Sequence, residues 1–257
     1  MILAIDVGNS NIVMGGYQDS VVSFVSRMQT DRAKEADQYA IQLKAILALY
    51  GVHREGIDGI VISCVVPSLT PVLMKALAHL SSARPHLLSL KDAGGVLVEI
   101  DNASELGMDI LASAIAVRHS RPLPAVIIDM GTATKITAMD KNGQLLGVAI
   151  SPGLYVSLDA LVRNASALQG LSLEAPPKAI GSNTVESMRS GVVLGSAAML
   201  DGMIDRFAAE MGGLASVVAT GGAAGVVIPN CSHTIEISET LLLDGMIHAY
   251  NHREGQP

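Results

Sequence analysis

Twice in this chain an apolar run ends on an aspartate, followed two residues later by a glycine and then by small polar side chains. The first copy is Ile2 to Ile5, then Asp6, Val7, Gly8, Asn9, Ser10 and Asn11. The second is Ala125 to Ile128, then Asp129, Met130, Gly131, Thr132, Ala133 and Thr134. A short unbroken apolar run of this kind reads as a strand buried on both faces. The aspartate then sets a carboxylate at the sheet edge, and the glycine supplies positive φ or close backbone approach. The hydroxyl, amide and backbone N–H groups that follow can cradle an anion such as phosphate. A carboxylate repels phosphate, but it can hold a cation that holds the phosphate. The plainer reading of either copy is an Asx turn closing a hairpin. Two copies in one chain favour two related halves facing one site. A third element fits: Val217 to Thr220 is a short apolar run followed by Gly221 and Gly222, where a flat ring can lie against backbone. Alone, that pair of glycines is also a plain turn.

The 257 residues suffice for two compact domains. Apolar residues make up 49%, yet there is no Trp and only two Phe, so the core must be aliphatic and the 12 Met read as core filler. A net charge of −7 argues against a nucleic-acid partner, which needs a basic footprint. It leaves room for a nucleotide handled by local loops and a divalent cation. Two cysteines, Cys64 and Cys231, are too few for a secreted disulfide framework and point to a cytoplasmic protein. No basic leader precedes the first motif, and the longest charge-free stretch, 212–229, holds five glycines. No membrane partner is expected.

Along the chain, strands are expected at 2–6, 11–17, 21–28, 57–66, 86–90, 125–129, 135–139 and 145–150, with 94–100 strand or loop. Helices are expected at 36–50, 68–81, 107–119, 157–165, 185–210 (whole or broken near Gly195) and 239–250. Residues 168–182 read as irregular. Ser120 to Pro124 carries two prolines and marks the expected domain boundary. Asp109 has an ordinary explanation, since acidic residues favour a helix's first turn. His248 and His252, four apart on the last helix, could form half a metal site, but no third ligand is evident in sequence. Arg32 and Lys34 read as an exposed charged run. Arg163 and Arg189 could face anions or a partner chain, though a solvated surface role is the simpler one.

Seven stretches together resemble a known family: DVGNSN (6–11), SCVVPSLT (63–70), GMD (107–109), DMGTAT (129–134), SPG (151–153), NTVESMRSGVVLG (183–195) and TGG (220–222). They resemble the actin–hexokinase–Hsp70 phosphotransferase superfamily and, within it, the type III pantothenate kinases, over essentially the whole chain. The resemblance implies an α/β protein of two ribonuclease-H-like domains, 1–118 and 119–257, with a central interdomain cleft. It implies ATP as phosphoryl donor, Mg2+, a monovalent cation (K+ or NH4+), pantothenate as acceptor and a homodimer that completes the acceptor pocket. Carried over by position, Asp6, Val7, Gly8, Asn9, Ser10, Asn11, Ile12 and Val13 hold the ATP phosphates, with Asp6 on Mg2+. Thr132, Gly221 and Gly222 are further ATP contacts, and Asp129 is the monovalent-cation ligand. Gly107, Met108, Asp109, Ile110 and Thr184 contact the acceptor, with Asp109 as general base.

The acceptor side departs from the family pattern. The family reads Tyr-Asp-Asn-Pro and then Gly-x-Asp-Arg, where this chain has Ile100, Asp101, Asn102, Ala103 and then Gly107, Met108, Asp109, Ile110. An arginine is the natural fork for a carboxylate such as pantothenate's, and isoleucine offers neither charge nor donors. Thr137 stands where the family has an aspartate, and Lys135 beside it is unusual. The expectation is retained ATP binding with weakened or altered pantothenate affinity. The alternative is an ATP-binding relative that acts as a regulator.

Overall fold

The computed structural model describes residues 1–163 and 172–253, which form two compact units. The first comprises Met1–Val96, Asp101–His119 and the described residues from Thr240 onward; the second comprises Leu97–Ile100 and Ser120–Glu239.

In the first unit β1 (Ile2–Val7), β2 (Asn11–Gln18) and β3 (Val21–Gln29) form an antiparallel meander. After α1 (Ala36–Leu49), β4 (Gly59–Cys64) pairs parallel to β1. After α2 (Thr70–Leu80), β5 (His86–Leu87) pairs parallel to β4, and α3 spans Met108–Ser120. The sheet order is β3-β2-β1-β4-β5. β1 is central, which explains its unbroken apolar run; β3 is an edge, and most of its residues are exposed. One core joins Leu3, Ile5 and Ile12 to Leu43, Leu73 and Leu77 of the covering helices. Burying each such side chain is worth about 1.5–3 kcal/mol. On α1, Tyr39, Leu43 and Leu47 are buried, whereas Tyr50 falls past the helix and stacks on Phe24, ring centroids 4.2 Å apart.

The second unit repeats this plan. β6 (Leu97–Val98) lies on an outer edge, while β7 (Ala125–Met130), β8 (Ala133–Met139) and β9 (Gln144–Pro152) form the meander. β10 (Ser216–Thr220) pairs parallel to β7 and β11 (Glu236–Ile237) parallel to β10. The order β11-β10-β7-β8-β9-β6 is the first sheet's order with one strand added. Asp6 and Asp129 are each the penultimate residue of the first meander strand, so the duplication read in the sequence is a duplication of topology. Helix α4 (Leu154–Arg163) starts three residues before its expected 157; the rest of the expected 157–165, and part of 168–182, lies outside the described residues. The long helix is α5 (Thr184–Arg189), a π turn at Ser190–Leu194, and α6 (Gly195–Met211), so the break expected near Gly195 is a change of helical pitch. Gly212, at φ 72°, closes α6 in the left-handed conformation. A four-residue α7 (Ala224–Val227) follows β10.

The expected halves, 1–118 and 119–257, differ from these units mainly in the last helix (Leu241–Asn251), which packs in the first unit. Its Gly245 lies so close to α3 that a Cβ would sit 1.8 Å from the Ala112 carbonyl oxygen. Tyr17 on β2 donates from its hydroxyl to Asp244 Oδ1 at 2.6 Å, and Thr240 Oγ1 donates to Asp244 Oδ2 at 2.8 Å. Burial, and then Asp244, push the Tyr17 phenol well above its ordinary pKa. Among the described residues no helix is long and apolar enough to cross a membrane.

Candidate functional site

The first loop joins β1 to β2. Its anchors, Val7 and Ile12, are wholly buried, so from the expected phosphate-binding run 6–13 these two can offer a ligand only backbone. Asn9, Ser10 and Asn11 form the exposed tip. Gly8 donates its N–H to the Asn11 carbonyl at 2.9 Å, and a Cβ on Gly8 would lie 3.0 Å from that oxygen, so a side chain there would press on the turn. Thr30 braces the loop from behind: its N–H reaches the Ser10 carbonyl at 3.0 Å and its Oγ1 the Gly8 carbonyl at 2.7 Å. Arg32, exposed as expected, also donates from Nη2 to Asn9 Oδ1 at 2.7 Å, which fixes a cation beside the turn. Sequence reasoning passed over that role because the contact crosses 23 residues of chain. Ser63 sits opposite Asp6 in the β1–β4 register, fully buried, and its Oγ has no hydrogen-bond partner among the described residues. A carboxylate beside an orphaned hydroxyl is an oxygen donor set that suits Mg2+.

The second loop joins β7 to β8 and is one residue shorter. Gly131 donates to the Ala133 carbonyl at 3.1 Å. Thr132 is exposed at the tip, while Thr134 is buried. Two further glycines press on this turn. A Cβ on Gly153 would lie 2.3 Å from the Gly131 carbonyl oxygen, and one on Gly221 (φ 94°) 2.6 Å from the Met130 carbonyl. The structure thus gathers Asp129, Thr132 and the Gly221–Gly222 turn at the carboxyl ends of the parallel pair β7 and β10, where ligands of open α/β sheets sit. Asp129 is not alone there. Lys135, directly opposite it in the β7–β8 register, donates from Nζ to Asp129 Oδ2 at 2.6 Å. The two side chains are 16% and 20% exposed, Lys135 first. Two like charges about 4 Å apart repel by about 4 kcal/mol at an effective dielectric near 20. The Lys135 ammonium thus already holds one oxygen of the carboxylate expected to bind a monovalent cation.

The acceptor residues lie on two elements. Asp109 stands in the first turn of α3, where its Oδ1 accepts the Ile110 N–H at 2.9 Å. The Gly107 carbonyl accepts from Ile110 and Leu111 N–H groups, both at 3.1 Å, and starts the helix. A Cβ on Gly107 would meet Asp109 Oδ1 at 2.3 Å, so this glycine leaves the carboxylate its place. Met108 and Ile110 flank it, both partly buried. Thr184 is exposed at the start of α5, after Asn183, whose Oδ1 caps the Glu186 N–H at 3.0 Å.

Other candidates resolve simply. His119 of α3 joins His248 and His252 in a stack, with centroids 3.7 and 4.1 Å apart, but no group of three His, Cys, Asp or Glu side chains among the described residues could hold a metal ion. Burial, then His119, then His252 depress His248 to about 4. Burial, then Asp201, push the Cys231 thiol up to about 11, which keeps it protonated and unreactive at neutral pH. Arg189 donates to the Ser172 carbonyl and Oγ at 3.0 and 2.7 Å. The Arg163 side chain lies outside the described residues.

Comparison with known proteins gives a consistent result. The family profile described as type III pantothenate kinase matches residues 2–206. A type III pantothenate kinase from Moorella thermoacetica is 37% identical over 97% of this chain and 98% of its own. One from Geotalea daltonii is 36% identical over 96% of each. Among solved structures, the activator of the 2-hydroxyisocaproyl-CoA dehydratase from Clostridium difficile, with bound ADPNP, superposes with a TM-score of 0.59. It is 14% identical over 98% of this chain and 93% of its own. At that identity the likeness concerns the fold, two ribonuclease-H-like α/β domains.

Proposed function

Because this chain belongs to the type III pantothenate kinase family, we propose that it transfers the terminal phosphoryl group of ATP to the terminal hydroxyl of pantothenate, the first step towards coenzyme A. The observation that carries this reading is the repeated first strand, each copy ending in a carboxylate and a glycine turn, within a family match over residues 2–206.

Phosphoryl transfer asks mainly for positioning and charge neutralisation. The 6–13 loop offers backbone N–H groups and the Asn9, Ser10 and Asn11 side chains to the phosphates, with Arg32 held alongside. Asp6, with Ser63, would hold Mg2+, which neutralises phosphate charge when bound. Thr132 offers a hydroxyl, and Gly221–Gly222 a flat backbone, to the nucleotide. Asp109 orients the acceptor hydroxyl and takes its proton as the oxygen–phosphorus bond forms and the bond to ADP breaks. Gly107, Met108, Ile110 and Thr184 line the acceptor. Ile110 supplies no counter-charge, so pantothenate binds more weakly than it would opposite arginine. A homodimer rests on the family resemblance, and a cytoplasmic location also agrees with the two free thiols. Where the family resemblance implies a monovalent cation, the Lys135 ammonium stands 2.6 Å from Asp129 Oδ2.

ADP release tests the proposal. Pantothenate should start it, other small hydroxy acids should not, and Asp109→Asn should slow it by about 100-fold or more while ATP still binds. Equal release with and without pantothenate would sink the assignment.

A further inference from the structure

We propose that the Lys135 ammonium is a built-in cation for the second loop, so that nucleotide binding there needs no added monovalent ion. The proposal rests on reading this loop as part of an ATP site, but not on pantothenate as the acceptor.

Residues directly opposite in an antiparallel pair project from the same face, and Asp129 and Lys135 are such a pair. Their 2.6 Å separation is that of a charge-assisted hydrogen bond. Both side chains are largely shielded, so bulk salt screens the pair less than it would a surface pair. The turn between them is tightly packed, with the Gly153 N–H on the Thr132 carbonyl at 3.1 Å and Gly221 pressed on Met130. The positive charge is therefore held at a fixed place by one strand, and its ordering is completed when the chain folds.

The electrostatic balance explains why such a charge is useful. A bare Asp129 carboxylate would repel the phosphates of a nucleotide bound at Gly131–Thr134. One positive charge removes that repulsion, and Lys135 supplies it covalently. A potassium or ammonium ion would have to enter beside Nζ and compete for a carboxylate already neutralised. Removing Lys135 should reopen the place beside Asp129 to a free cation.

The test is a calorimetric titration of the full-length protein with a non-hydrolysable ATP analogue and Mg2+. It is run in tetramethylammonium buffer alone, with KCl, and with NH4Cl. The native protein should bind within about twofold in all three. Lys135→Ala should bind about tenfold more weakly in tetramethylammonium and recover with either KCl or NH4Cl. A native affinity that rises by about tenfold with KCl would overturn the proposal. So would a Lys135→Ala protein that binds like the native one in tetramethylammonium. If that variant does not fold, the native series alone still decides. Pantothenate-dependent turnover is a separate assay, and its failure does not move these titrations.

Discussion

Replacing Gly107 with alanine should disable the enzyme without unfolding it. The added Cβ lies 2.3 Å from Asp109 Oδ1, whereas ordinary contact begins at 3.4 Å, so the carboxylate oxygen must retreat by about 1 Å. The obstacle is the end of a side chain, so the backbone need not move. Gly107 is not among the residues at positive φ, and alanine meets no conformational penalty there. Its stability ledger nearly closes. Losing the Ile110 N–H bond to Oδ1 costs about 1 kcal/mol, and the smaller unfolded ensemble of alanine returns about 0.4–1 kcal/mol. Activity is another matter. A displacement of about 1 Å in a reacting group lowers turnover by about 100-fold, or about 2.7 kcal/mol. Steady-state kinetics on ATP and pantothenate, with a thermal melt of the same samples, separates the two effects. The expected result is a kcat lowered by about two orders of magnitude, an unchanged KM for ATP and an unchanged melting temperature. A kcat within about threefold of the native enzyme would refute the role given to the Asp109 carboxylate. A collapsed melting temperature would refute the claim that the displacement is local.

Three further changes test other parts of the account. Ile110→Arg restores a fork for the pantothenate carboxylate and should tighten pantothenate binding by about tenfold, measured by calorimetry with ATP analogue present; no gain would remove Ile110 from the acceptor site. Tyr17→Phe deprives Asp244 of its 2.6 Å donor and should destabilise the first unit by about 1.5–3 kcal/mol in urea unfolding; an unchanged midpoint would show that this bond does not secure the last helix. His248 is held neutral by burial and by His119 and His252, to a pKa of about 4, below the 6.5 of an unfolded histidine. The unfolded chain therefore binds the extra proton between those values, and stability present above pH 6.5 is lost as pH falls towards 4. The ring is partly exposed, so the contribution is about 1 kcal/mol after screening, and His248→Gln should remove that part of the acid loss in melts across this range.

The sequence carried the local chemistry well and the long-range geometry poorly. β1 and β7 were legible because a central strand buried on both faces leaves an unbroken apolar run, and the aspartate and glycine after it are explicit. The equal strand order of the two sheets follows from that repeat. The last helix packs in the first unit through remote partners: Gly245 against Ala112, and Asp244 against Tyr17, are contacts that no local pattern encodes. The two-residue strand β11 is too short for periodicity to register, and β5 and β6 cover only two residues each of the expected 86–90 and 94–100. Lys135 stood out as unusual, but only the cross-strand register shows that it reaches Asp129. Ser63 looked like one more residue of a buried strand, and its orphaned hydroxyl beside Asp6 shows only in three dimensions.

The central claim is transfer of the ATP terminal phosphoryl group to pantothenate, with Asp109 taking the hydroxyl proton. Its most direct test is a single-turnover reaction with ATP labelled in the terminal phosphate, Mg2+ and pantothenate, quenched and resolved by chromatography. The account predicts label in phosphopantothenate, matched by ADP, and labelling slowed by about 100-fold or more when Asp109→Asn replaces the native chain. Label that stays in ATP, or emerges only as inorganic phosphate, would contradict it.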